Sequence, residues 1–77
     1  MTPDQFFAWR QRMAFTRPMA AAALGIHIAT IANYESGTRR DTGAPVRIPK
    51  HIALACAAIE ADMKPLDDKA QKVSTPR

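Results

Sequence analysis

Apolar side chains recur at helical spacing in four short segments of the chain, and residues that favour turns separate these segments. A capping box of Thr2 and Gln5 begins the first segment, and Gly25 and Gly37 end the second and third. The pattern predicts four helices, which run from Pro3 to Met13 or Ala14, from a Thr16 cap to Leu24, from a His27 cap through Ile28 to Ser36, and from Pro49 to about Ala61.

Each predicted helix has one face of apolar or small side chains, and these faces form the candidate core. The core positions are Phe6, Trp9 and Met13; Ala20, Ala21 and Leu24; Ile31 and Tyr34; and Ile52, Ala55, Cys56 and Ile59. Arg10 lies within the apolar face of the first helix, so it requires a buried partner.

The chain divides into a helical domain over residues 1–61 and a polar tail over residues 62–77. The tail contains two prolines, mixed charge and few apolar residues, which favours a mobile segment or a short helix near Leu66–Val73. The predicted fold is all-α, a compact bundle of four helices with room for a short fifth.

Composition narrows the function further. Of the 77 residues, 15 are alanine, so the core is small and a large enzyme with a deep cavity is excluded. One cysteine excludes an intrachain disulfide and fits a reducing cytoplasm. The apolar runs are far shorter than a membrane span, and the chain does not begin like a signal peptide, so we expect a cytoplasmic protein without membrane contact.

Positive charge is concentrated in the first part of the chain. Residues 1–58 contain seven Lys or Arg and three Asp or Glu, which accounts for the whole net charge of +4. A basic excess on a small cytoplasmic domain indicates a polyanionic partner, most often nucleic acid.

The segment from Thr16 to Arg39 has the spacing of a helix-turn-helix, with two short helices meeting at Leu24-Gly25-Ile26. It resembles the helix-turn-helix family of lambdoid phage repressors and Cro proteins, also called the XRE family. The residues that match the family pattern without a gap are Thr16, Ala21, Leu24, Gly25, Ile26, Ile31, Tyr34, Glu35, Gly37 and Arg39. The resemblance extends over about residues 3–61.

The resemblance implies roles for individual residues. An arginine of the first helix pairs with a glutamate at the end of the recognition helix, which here are Arg10 and Glu35. The outer face of the third helix enters the major groove and reads bases through Ile28, Ala29, Ala32 and Asn33. The loop after the third helix contacts the sugar-phosphate backbone in the family, which points to Thr38, Arg39 and Arg40, with Arg47 as a further candidate. From their own chemistry, Thr30 suits a phosphate, Arg17 a phosphate or a guanine, and His27 a helix N–H or a phosphate.

Three departures from the family leave the base preference open. Arg17 replaces a glutamine, His27 replaces a serine or threonine cap, and Ile28-Ala29 replaces a polar start of the recognition helix. Asn33 alone has the side chain for a two-bond contact with adenine, whereas the apolar residues suit thymine methyl groups. An apolar outer face also suits a protein-binding surface.

No residues form a catalytic or metal-binding constellation. His27, His51 and Cys56 fit no zinc spacing, and no nucleophile has an identifiable base, so we expect a non-enzyme without cofactor.

The sequence therefore predicts a bacterial or phage-encoded repressor, associated with the nucleoid when bound. It would bind a double-stranded operator as a homodimer. The candidates for the contact between the two copies are the fourth helix, the tail, and Phe7 or Trp9. The alternatives are an antitoxin whose residues 62–77 bind a toxin, and a protein-interaction module that has lost DNA binding.

Overall fold

The computed structural model describes residues 1–66, which form four helices and, within that range, no β-strand. The helices are α1 (Pro3–Arg12), α2 (Arg17–Leu24), α3 (Ile28–Ser36) and α4 (Lys50–Glu60). The predicted all-α fold of four helices is therefore confirmed. The predicted short helix near Leu66–Val73 and most of the tail proposed for a toxin lie outside the described residues.

Side chains cap the first three helices as the sequence predicts. Thr2 accepts the Gln5 N–H at 3.1 Å, and the Gln5 side chain accepts the Thr2 N–H at 2.8 Å. Thr16 accepts the Met19 N–H at 3.3 Å at the start of α2. The Nδ1 atom of His27 accepts the Ala29 N–H at 3.0 Å at the start of α3. Each cap satisfies a backbone donor that the first turn leaves without a partner.

The residues that end α2 and α3 differ from those that follow α1 and α4. Gly25 and Gly37 follow α2 and α3 with φ of 70° and 78°, as predicted. Ala14 and Asp62 adopt similar left-handed conformations, at φ of 56° and 60°, although neither is a glycine. Ala14 therefore lies outside α1, and the expectation that this helix reaches Met13 or Ala14 is wrong by one or two residues.

All four helices contribute residues to one core. Phe6 is fully buried, and its ring centroid lies 5.5 Å from the ring centroids of both Trp9 and Tyr34. Trp9 donates its indole N–H to the Cys56 carbonyl at 3.0 Å, which joins α1 to α4. The other buried residues are Ala20, Ala21, Ile31, Ile48 and Ile52.

Burial of Trp9 overturns one expectation from the sequence. Only 1% of Trp9 is exposed, so this residue is not an accessible subunit contact. Its ring packs against Phe6 and Phe15 while its polar atom is satisfied within the core. Phe7, the other aromatic candidate, is 46% exposed.

The helices are short, and the longest, α4, has 11 residues. At 1.5 Å per residue this helix covers about half the thickness of a bilayer core. Within residues 1–66, no helix has both the length and the apolar character required to span a membrane.

Candidate functional site

Helices α2 and α3 pack closely around the turn that joins them. The Ile26 N–H donates to the Ala21 carbonyl at 3.0 Å, which fixes the chain as it leaves α2. Ala20 and Ala21 are buried, and their small side chains allow close approach of the neighbouring backbone. Ile31 of α3 is fully buried in the same core. The position of α3 is thus set by packing rather than by a long loop.

The two faces of α3 have opposite environments. Ile31 and Tyr34 are buried on the inner face. On the outer face, Ile28 is 43% exposed and Ala29 is also exposed, while Asn33 is partly exposed. Ala32 and Thr30 have intermediate exposure, so every base-reading candidate is at least partly accessible.

Arg10 and Glu35 form the ion pair between α1 and α3. The Nε atom of Arg10 donates to Oε2 of Glu35, and its Nη2 atom donates to Oε1 at 3.1 Å. The Nη1 atom of Arg10 donates to the Phe15 carbonyl at 3.0 Å. The side chains are only 11% and 6% exposed. This two-bond pair therefore fixes the end of α3 against α1.

Arg17 joins the same carboxylate from α2. Its Nε and Nη2 atoms lie 3.3 Å and 3.2 Å from Oε1 of Glu35. The sequence assigned Arg17 to phosphate and missed this contact, because helical spacing carries no signal for a contact between two different helices.

The loop after α3 is a closed turn. The Arg39 N–H donates to the Ala44 carbonyl at 2.8 Å, and the Gly43 N–H donates to the Arg39 carbonyl at 2.8 Å. Thr38 and Pro45 form an antiparallel bridge at its base. These backbone bonds hold the two arginines at the start of the turn, Arg39 and Arg40, beside the outer face of α3.

An open concavity of about 270 Å³ lies between α3 and this turn. Ala29, Ala32 and Asn33 line it from the helix. Arg39, Arg40 and Asp41 line it from the turn. Residues predicted to read bases and residues predicted to contact phosphate therefore share one surface. Ile28, Arg17, His27, Thr30 and Thr38 do not line the concavity.

Asp41 is the residue of this concavity that the sequence did not single out. Its Oδ1 atom lies 3.3 Å from Nε of Arg39, and both side chains are more than half exposed. The Arg39 hydrogen bond lowers the pKa of Asp41, so its carboxylate stays charged at neutral pH and offsets the charge of Arg39.

The distribution of ion pairs separates the arginines of the loop. Among residues 1–66, Arg40 and Arg47 take part in no ion pair, whereas Arg39 is paired. The first turns of α2, α3 and α4 contain no acidic residue. The N-termini of these helices consequently add positive potential.

Two titratable residues outside this surface, Cys56 and His27, serve the fold. Burial raises the pKa of the Cys56 thiol to about 11, so it remains protonated at neutral pH. His27 caps α3 through its ring nitrogen. Within residues 1–66, no three His, Cys, Asp or Glu side chains are grouped as a metal site requires.

Comparison of the chain with protein-family models, curated proteins and solved structures found no match. The similarity of Thr16–Arg39 to the phage repressor family therefore stays a prediction from the sequence. The basis for a function is the chemistry of the exposed surface formed by α3 and the following turn.

Proposed function

We propose that this chain is a sequence-specific regulator of transcription that binds double-stranded DNA with α3 in the major groove. The observation that carries the proposal is the concavity shared by α3 and the turn that follows it. One side presents an amide and small apolar groups, and the other presents two guanidiniums. These are the chemistries required for base edges and for phosphates, respectively.

Asn33 is the principal base reader in this proposal. Its side chain is partly exposed and lines the concavity, and an asparagine amide matches the N6 and N7 atoms of adenine with two hydrogen bonds. Ala29 and Ala32 lie beside it and suit thymine methyl groups, as does the more exposed Ile28. The preferred half-site therefore contains adenine and thymine.

The basic turn supplies the phosphate contacts. Arg40 has no carboxylate partner among the described residues, so its charge acts on the DNA backbone without an internal competitor. Arg39 contributes less because Asp41 offsets it. Such contacts fix the position of the protein on the duplex and supply salt-dependent affinity.

In this proposal the protein is a small cytoplasmic repressor that binds an operator as a homodimer. One copy presents a single α3, whereas two copies read two half-sites about one helical turn apart. Exposed apolar side chains away from α3 are the candidates for the contact between copies, and they include Phe7, Met19 and Leu54.

Selection of bound duplexes from a random DNA pool tests the proposal. We expect enrichment of an inverted repeat whose half-sites contain adenine at a fixed position. The affinity of the selected duplex should fall steeply with salt, as expected when arginines displace counterions. Equal and weak binding to all sequences would contradict it.

A protein-interaction module is the second candidate, and the exposure of Ile28 favours it. This large apolar side chain is 43% exposed beside two alanines of the same face. An apolar patch on a small domain suits a protein partner as well as thymine methyl groups. If no duplex is enriched, Ile28→Glu should abolish capture of a protein partner, whereas Ala8→Glu, at an exposed position of α1, should leave that capture unchanged.

A further inference from the structure

Glu35 accepts hydrogen bonds from arginines of two different helices. Arg10 of α1 binds both of its oxygens, and Arg17 of α2 binds Oε1 alone. The Glu35 side chain is only 6% exposed. Two guanidiniums around one carboxylate leave one positive charge at this cluster.

Arg10 is poorly placed to bind a ligand, because three of its five N–H groups are used within the fold and its side chain is only 11% exposed. Its guanidinium binds Glu35, donates to the Phe15 carbonyl and lies over the Phe7 ring at 5.3 Å from the ring centroid. It is also largely buried. The charge of Glu35 is therefore balanced by Arg10, and the excess charge belongs to Arg17.

Arg17 is held on one edge and open on the other. Its side chain is 50% exposed, and its Nε and Nη2 atoms both donate to Oε1 of Glu35. A guanidinium has five N–H groups, so about three remain for a further acceptor. Among residues 1–66, no hydrogen bond uses the Nη1 atom of Arg17.

We infer that Glu35 is a positioning residue that acts through Arg17, and that it holds the outer edge of this guanidinium ready for a phosphate of the DNA backbone. The inference rests on the proposed function and adds a phosphate ligand outside the concavity. An arginine fixed before binding loses less side-chain freedom when it binds, which favours affinity.

The direction in which Glu35→Gln changes DNA affinity tests the role of Glu35. Glu35→Gln removes a negative charge, and if charge alone mattered, binding to the selected duplex would become tighter. If Glu35 positions Arg17, binding becomes roughly three- to tenfold weaker in fluorescence anisotropy titrations, because the guanidinium is no longer held. Tighter binding would overturn the inference.

Arg17→Lys tests the same role without disturbing the Arg10–Glu35 pair, in case Glu35→Gln fails to fold. Lysine keeps the charge but lacks the planar fork that can bind a carboxylate and a phosphate together. We expect several-fold weaker binding. The matched control is Arg12→Lys, at an exposed arginine paired with Glu60 across α1 and α4, which should bind as wild type does.

A measurement on the free protein separates positioning from general stability. The Arg17 Nε–H resonance should be resolved in the NMR spectrum of the wild-type chain and should broaden in Glu35→Gln while the backbone spectrum stays folded. Wild-type binding by Arg17→Lys, or an unchanged Nε–H resonance in folded Glu35→Gln, overturns the positioning role alone. A wild-type chain that binds no duplex contradicts the proposed function and this role with it.

Discussion

The inner and outer faces of α3 belong to one helix of nine residues, yet different physical constraints act on them. On the inner face, Ile31 and Tyr34 are buried and Glu35 is held by two arginines. On the outer face, Ile28 and Asn33 make no comparable contacts within the described fold. The fold restricts the first group, whereas no comparable contact within residues 1–66 restricts the second.

This difference predicts two separable classes of variant. Substitutions on the inner face should lower the free energy of unfolding, because they leave a cavity or an unpaired buried charge. Substitutions on the outer face should change binding and leave unfolding nearly unaltered. Glu35 is the expected exception, because its carboxylate also holds Arg17; at any other position, a substitution that does both would show that the two faces are coupled.

Loss of the buried ion pair should have the largest effect. We expect Arg10→Ala to lower the free energy of unfolding by up to about 3–5 kcal/mol, since Glu35 is then left in a largely buried position with only the half-exposed Arg17 as its partner. Urea denaturation followed by circular dichroism measures this change. Arg12→Ala, whose partner Glu60 is exposed, is the control and should shift the midpoint little. Equal effects of the two variants would contradict the assigned importance of burial.

Two isoleucines three positions apart in α3 provide a matched pair. Ile31→Ala should cost about 2–5 kcal/mol of stability because the side chain is fully buried. Ile28→Ala should cost clearly less, on the order of 0.5 kcal/mol, because 43% of the residue is already exposed. The same urea experiment compares them, and similar losses would mean that the outer face also supports the fold.

Asn33→Ala should change base preference without changing stability. We expect a loss of about 1–3 kcal/mol in binding the selected duplex, and none for duplexes altered at the adenine that Asn33 reads. Anisotropy titrations over single-base variants of each half-site measure this. If all variants weaken equally, Asn33 is not a base reader.

Substitutions at two neighbouring residues of the turn, Arg40 and Asp41, should change DNA affinity in opposite directions and by small amounts. Arg40→Ala should weaken binding to all duplexes and reduce the slope of log K against log salt by about one unit for each phosphate that the arginine no longer neutralises. Asp41→Asn should tighten binding by a few-fold, because it frees Arg39 from its carboxylate. Affinities measured across a salt series check both, and an unchanged slope for Arg40→Ala would remove the turn from the interface.

Sequence patterns predicted the inner framework well because local rules govern it. The caps at Thr2, Thr16 and His27 and the turns at Gly25 and Gly37 each depend on residues close in the chain. The left-handed Ala14 did not follow from the sequence, because alanine is a strong helix former and tertiary packing overrides that preference.

The candidate site was predicted less completely. Helical periodicity placed Ala29, Ala32 and Asn33 on one face, but it gave no means of placing the turn beside them. The pairing of Arg39 with Asp41 and of Arg17 with Glu35 depends on the path of the chain in three dimensions. Charge counting treated these arginines as equal, whereas their carboxylate partners make them chemically different.

The indole–carbonyl bond between Trp9 and Cys56 gives this protein an internal optical reporter. Trp9 is the single tryptophan of the chain, and it lies where the first helix meets the last helix of the described fold. Because Trp9 is buried, its fluorescence emission should lie to the blue of an exposed tryptophan, and it should move to the red when α4 detaches and water reaches the indole. Light emitted by one native side chain therefore reports whether the two ends of the helical domain are still joined, without an added dye.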